Sequence, residues 1–134
     1  MNRRRRALIV DDDLPVRKMV ASQLEGMGCS VVKTRSGERA LRLALGGRRP
    51  DLVVLDIPGG GMADLWFLDQ LKLAGDSYGE KTPPVVVLSG DQSFETEQLA
   101  RAAGAGVFML KPVEDKSLSA VFAQLLPPDG GRKG

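Results

Sequence analysis

Short aliphatic runs recur along this chain at residues 7–10, 31–33, 52–55, 85–88 and 107–110, and the stretches between them carry a different period. The runs are short and rich in Val, Leu and Ile, which is the length and chemistry of β-strands. After the first run, Val16, Met19, Val20, Leu24 and Met27 fall on one helical stripe, and after the last, Leu118, Val121, Phe122 and Leu125 fall on another. The same rhythm predicts helices over residues 36–45, 62–73 and 93–103, with Ser36 as the N-cap of the first of these and Gly46-Gly47 as its stop. The segment 75–80 reads as a surface loop. Strand alternating with helix five times, in strands apolar enough to be covered on both faces, predicts a parallel sheet sandwiched between helices. A chain of 134 residues has room for one such domain and its core.

Composition narrows the chemistry. The chain has no histidine, which excludes Ser/His and Cys/His triads, His-ligated zinc and a phosphohistidine of its own. Its single cysteine, Cys29, cannot close an internal disulfide and is expected to be a small buried residue. The apolar stretch after Arg3–Arg6 is four residues long before aspartates stop it, too short for an export signal. No stretch approaches the roughly 20 apolar residues of a membrane span. A reduced, cytoplasmic setting away from membranes is the expectation. The formal charge of +2 is unevenly spread: Arg3–Arg6, Arg132 and Lys133 hold six of 19 basic residues, leaving 13 against 17 acids. Those basic ends are expected to be solvated, with residues 1–6 an arm, 7–126 the domain and 127–134 a flexible tail.

Right-handed crossovers place the C-terminal ends of all strands of such a sheet along one edge. The residues just beyond each run are therefore informative: Asp11-Asp12 after the first, Asp56 after the third, Ser89 after the fourth and Lys111 after the fifth. The second ends in Lys33-Thr34 and offers no acid. Clustered carboxylates repel one another unless a cation compensates. With oxygen ligands only, that cation would be hard, Mg²⁺ or Mn²⁺. A carboxylate beside such an ion can attack a phosphoryl group, with the lysine and serine meeting the transferred oxygens.

Four segments, VDDD with Asp11 and Asp12, PDLVVLDI with Asp56, VVVLSG with Ser89 and Gly90, and GVFMLKPV with Phe108, Lys111 and Pro112, together resemble the receiver domain of two-component response regulators over residues 5–126. The resemblance implies a CheY-like, flavodoxin-like (βα)5 fold with strand order 2-1-3-4-5. It implies Asp56 as phosphoacceptor, and Mg²⁺ held by Asp12 and Asp56 directly, by Asp11 through water and by the main-chain oxygen of Pro58. Ser89, the small Gly90, Lys111 and the aromatic Phe108 would form the catalytic and switch set. A histidine kinase or histidine phosphotransfer protein would donate the phosphoryl group, and an unidentified target would read it. Such a domain is not an enzyme for a free substrate, since it promotes only its own phosphorylation and dephosphorylation. The expectation is a stand-alone receiver, monomeric or weakly dimeric, with no DNA-binding domain on this chain.

One stretch departs from the family. Where receivers usually carry Met-Pro further along the loop, this chain has Pro58-Gly59-Gly60-Gly61. Pro58 still has a carbonyl for a metal but no N–H for a phosphoryl oxygen. Two other readings compete. A haloacid-dehalogenase-like phosphatase would use the D-x-D spacing of Asp11 and Asp13, but it leaves Asp56 idle and needs acids after the lysine. A pseudo-receiver would keep the fold as a phosphorylation-independent interaction module, a reading that the Pro58 loop supports and the acid pair, Asp56, Ser89 and Lys111 oppose.

Overall fold

Each aliphatic run becomes one strand: β1 (Arg6–Val10), β2 (Ser30–Thr34), β3 (Leu52–Ile57), β4 (Val85–Ser89) and β5 (Val107–Leu110). The helices between them are α1 (Leu14–Gly26), α2 (Gly37–Leu45), α3 (Met62–Tyr78), α4 (Phe94–Ala102) and α5 (Asp115–Leu125). This computed structural model describes residues 4–11, 14–46, 49–57, 62–78, 82–90 and 94–127. The strands pair in parallel in the order β2-β1-β3-β4-β5, the doubly wound (βα)5 arrangement that the rhythm and the resemblance predict. Among the described residues no helix is long and apolar enough to cross a membrane.

Alternation along the strands divides the core in two. Leu8, Val10, Val53, Leu55, Ile57, Val85 and Val87 face a layer that includes Leu65, Phe67, Leu68 and Leu71 of α3, with small residues of α2 and α4. Ala7, Ile9, Leu52, Val54, Val86 and Leu88 face the opposite layer, where Val20 and Leu24 of α1 meet Leu118 and Phe122 of α5. Continuing the alternation by one step assigns the site residues to faces. Asp56 and Lys111 belong with the α1/α5 side, whereas Ser89 and Phe108 belong with the α4 side.

Two helices end alike. At the end of α1 the Gly28 N–H donates to Glu25 O and the Cys29 N–H to Leu24 O, while Gly28 has φ +88°. After α4 the Gly104 N–H donates to Arg101 O and the Ala105 N–H to Ala100 O, with Gly104 at φ +120°. Both are Schellman closures, in which a left-handed residue reverses the chain and the last carbonyls find donors. The residues bracketing each, Leu24 with Cys29 and Ala100 with Ala105, are buried, so each stop also delivers the chain into the core. Ser36 caps α2 as expected, its hydroxyl accepting from the Arg39 N–H.

Two expectations need correction. The surface loop expected at 75–80 is helical through Tyr78, because α3 runs past Leu73; Gly75 lies buried within it. Glycine lowers helix propensity by only about 1 kcal/mol, which packing overrides. The basic arm is tied down at its inner end. Arg6 is the first residue of β1, and the Arg5 guanidinium donates to Met27 O and, at 3.2 Å, to Pro127 O. Those carbonyls lie just beyond the last turns of α1 and α5, where helix ends leave acceptors unsatisfied.

Candidate functional site

The central strand β3 is buried along its whole length, and Asp56, its penultimate residue, is 4% exposed. A carboxylate at that depth needs a cation or several donors to offset its lost hydration. Lys111 supplies the charge: its ammonium pairs with Asp56 Oδ1, reaching across from just beyond the end of β5. The bridging strand β4 sets the distance. Asp56 is in register with Leu88, and Ser89 with both Ile57 and Leu110. The Lys111 N–H continues the ladder by donating to Ser89 O at 2.8 Å, which fixes where the lysine side chain starts. The Lys111–Pro112 peptide is cis.

Asp11 lies on the other side of Asp56. Val10 is in register with Leu55, so Asp11 follows β1 at the level of Asp56. It is 3% exposed. Its N–H donates to Thr34 O at 3.0 Å, and its carbonyl accepts from Arg17 Nη1 at 3.4 Å. Ser89 is fully buried at the end of β4. Phe108 is half-buried against the α4-side core, in register with Val87, two residues before Ser89. Gly90 follows Ser89 and is exposed, and among the described residues a Cβ built there would meet nothing within 4 Å.

Asp11, Asp56, Ser89 and Lys111 thus come to one edge of the sheet, as expected. Phe108 shares a face with Ser89 but not with the ion pair. Asp12 and Pro58, the remaining expected metal ligands, lie outside the described residues, as do Asp13 and Gly59–Gly61. Among the described residues no group of three acids stands close enough to hold a metal; Asp11 and Asp56 supply two oxygen-donor side chains. Those hard, buried oxygen donors suit Mg²⁺ or Mn²⁺ and not a soft metal.

Two recesses flank this edge. An apolar groove of about 460 Å³ lies between the start of α1 and the β5–α5 turn, lined by Pro15, Val16, Met19, Lys111, Pro112 and Val113. It is continuous with the ion pair through Lys111. The other, of about 330 Å³, lies at the end of β2 and is lined by Arg17, Lys33, Thr34, Arg35, Ser36 and Arg39. The sequence pattern does not single it out, although the absence of an acid after the second strand is visible there. Its one signal is a run of basic residues at the end of β2 and the first turn of α2.

The family model described as response regulator receiver domain matches residues 7–123. The regulator of RpoS from Escherichia coli is 34% identical over 122 residues, covering 90% of this chain and 34% of that protein. The response regulator MprA from Mycolicibacterium vanbaalenii is 34% identical over 129 residues, covering 94% of this chain and 53% of that protein. The chain therefore spans about a third to a half of the length of these relatives. Among solved structures, the chemotaxis response regulator CheY4 of Vibrio cholerae superposes with a TM-score of 0.77 at 26% identity, over 92% of this chain and 100% of that one. The receiver domain of NtrX from Brucella abortus does so with a TM-score of 0.75 at 32% identity, over 90% and 97%.

Proposed function

Because this chain belongs to the response regulator receiver family, we propose that it accepts a phosphoryl group on Asp56 from a phosphohistidine partner and signals through protein contact. The buried pair of Asp56 with Lys111, beside Asp11, carries this reading. An Asp56 carboxylate oxygen attacks phosphorus, the bond to the imidazole nitrogen breaks with its electron pair leaving on that nitrogen, and an acyl phosphate forms. Lys111, which pairs with Oδ1, would follow the incoming oxygens, and the Ser89 hydroxyl would donate to one of them. Asp11 and Asp56, with Asp12 and the Pro58 carbonyl, are the residues that would hold Mg²⁺. That ion would screen the phosphoryl oxygens from the carboxylates.

The groove lined by Pro15, Val16, Met19 and Val113 supports delivery by a protein. It offers a partner apolar contact on the Lys111 side of Asp56, where a phosphohistidine would have to approach. The face of β4, α4 and β5 carrying Ser89 and Phe108 is the proposed readout. Loss of hydroxyl freedom at Ser89 would repack Phe108, biasing a two-state element by a local charge change. The downstream target would then be a protein recognising that face.

The second reading is a phosphorylation-independent module, favoured by Pro58, which has no N–H where the family holds a phosphoryl oxygen. Incubation with a small phosphodonor and Mg²⁺, followed by intact mass measurement, separates the two. The proposal expects one phosphoryl increment on the wild type and none on Asp56→Asn. An increment surviving in Asp56→Asn contradicts it, and none on either protein supports the second reading.

A further inference from the structure

We infer that the recess at the end of β2 is a second anion site, one that takes a soluble ligand carrying two adjoining phosphate groups. Its lining brings four cationic side chains from different parts of the chain into one concavity: Arg17 from α1, Lys33 from β2, Arg35 from the β2–α2 turn and Arg39 from α2. No acid lines it. Among the described residues no carboxylate pairs with Lys33, Arg35 or Arg39, whereas elsewhere Arg101 pairs with Glu97 and Lys111 with Asp56. Like charges gathered without counter-charge raise the local potential and favour an anion.

The polar atoms beside them are arranged to donate. Thr34, 5% exposed, accepts the Ser36 N–H at its hydroxyl oxygen at 3.3 Å, and the Ser36 hydroxyl oxygen accepts the Arg39 N–H at 3.2 Å. With those oxygens engaged as acceptors, each hydroxyl hydrogen remains to be donated. Guanidinium forks match phosphate oxygens two at a time. Glu38 stands in the same first turn of α2 but does not line the recess. About 330 Å³ falls at the small end of the range for small-molecule sites, which runs from roughly 300 to 1,000 Å³. Four positive charges exceed the roughly two negative charges of a single phosphate near pH 7, which points to a diphosphate. None of the lining residues belongs to the proposed phosphoacceptor set, so the inference stands apart from it.

The test is titration of the full chain with pyrophosphate, free of divalent metal, read by calorimetry and by amide NMR shifts. Saturable one-to-one binding is expected, with the largest shifts at residues 33–39 and the same affinity in Asp56→Asn. Arg35→Glu with Arg39→Glu should weaken it at least tenfold, while Arg4→Glu with Lys116→Glu, an equal change in charge, should leave it within twofold. If the first pair unfolds the chain, Lys33→Gln with Arg35→Gln replaces it, with a smaller loss expected in the same direction. Equal losses in the two charge-matched pairs would overturn the inference in favour of diffuse electrostatics. Inorganic phosphate binding as tightly as pyrophosphate would overturn the diphosphate assignment. Binding to phosphatidylglycerol vesicles without binding to pyrophosphate would overturn it in favour of a membrane surface.

Discussion

β3 and β5 both feed the candidate site, and they are built differently. Every residue of β3 from Leu52 to Ile57 is buried, with neighbours β1 and β4 on its two sides. β5 has one neighbour, three half-buried residues and Leu110 at 45% exposure. The carboxylate that would react thus sits on a fully buried central strand, and the lysine that answers it follows a half-buried edge strand. On the proposed function that asymmetry would be useful, because chemistry wants a fixed acceptor and signalling wants a face that can repack.

The sharpest way to break the comparison is through stability. Leu55→Ala, deep in β3, should cost about 2–5 kcal/mol, because its cavity is enclosed on both sides. Met109→Ala in β5 should cost about 1 kcal/mol, since only part of that side chain leaves water on folding. Urea unfolding of both proteins checks this, and equal losses would dissolve the distinction. At the site itself, Lys111→Met should slow phosphoryl uptake on Asp56 by about 10²–10³-fold, the usual loss of one charged stabiliser of the transferring group. Rapid-quench labelling with a phosphodonor measures it, and an unchanged rate would remove the β5 side from the chemistry.

Much of the molecule is legible in its sequence, and the exceptions have physical reasons. The alternation of strands and helices and the common edge that holds Asp11, Asp56, Ser89 and Lys111 come from a periodic pattern and a handedness rule, both local or generic, whereas the strand order comes from the family resemblance. The end of α3 escapes the pattern because Gly75 looks like a stop and only its burial shows otherwise. The anchoring of Arg5 escapes it because the acceptors, at Met27 and Pro127, belong to helix ends distant in sequence. The basic recess is hidden for the same reason: Arg17 joins Arg35 and Arg39 only when α1 and α2 pack beside β2.

Smaller effects sharpen the contrast. Pro58→Met restores an N–H beyond β3 and should lengthen the life of the acyl phosphate; a charge-assisted hydrogen bond of about 1.5–3 kcal/mol corresponds to roughly tenfold or more. Equal phosphoryl half-lives for the two proteins would show that the proline has no such consequence. Gly104→Ala places a side chain at φ +120° in the stop that leads from α4 into β5 and should cost about 1–2 kcal/mol. A crowded neighbourhood is not the cause, since among the described residues a Cβ there meets nothing within 4 Å, so the loss should appear equally for Gly104→Ser. A loss confined to one of the two substitutions would point to side-chain chemistry instead of backbone strain.

The contrast between the two strands is tested most directly by amide hydrogen exchange, comparing the protein with and without phosphodonor and Mg²⁺, with Asp56→Asn run alongside. Protection should change in α4 and β5, around Phe108, while residues 52–57 of β3 keep theirs, and Asp56→Asn should show neither change. Altered exchange in β3 with none in β5, or the same response from Asp56→Asn, would contradict the division of labour between a fixed acceptor strand and a repacking edge.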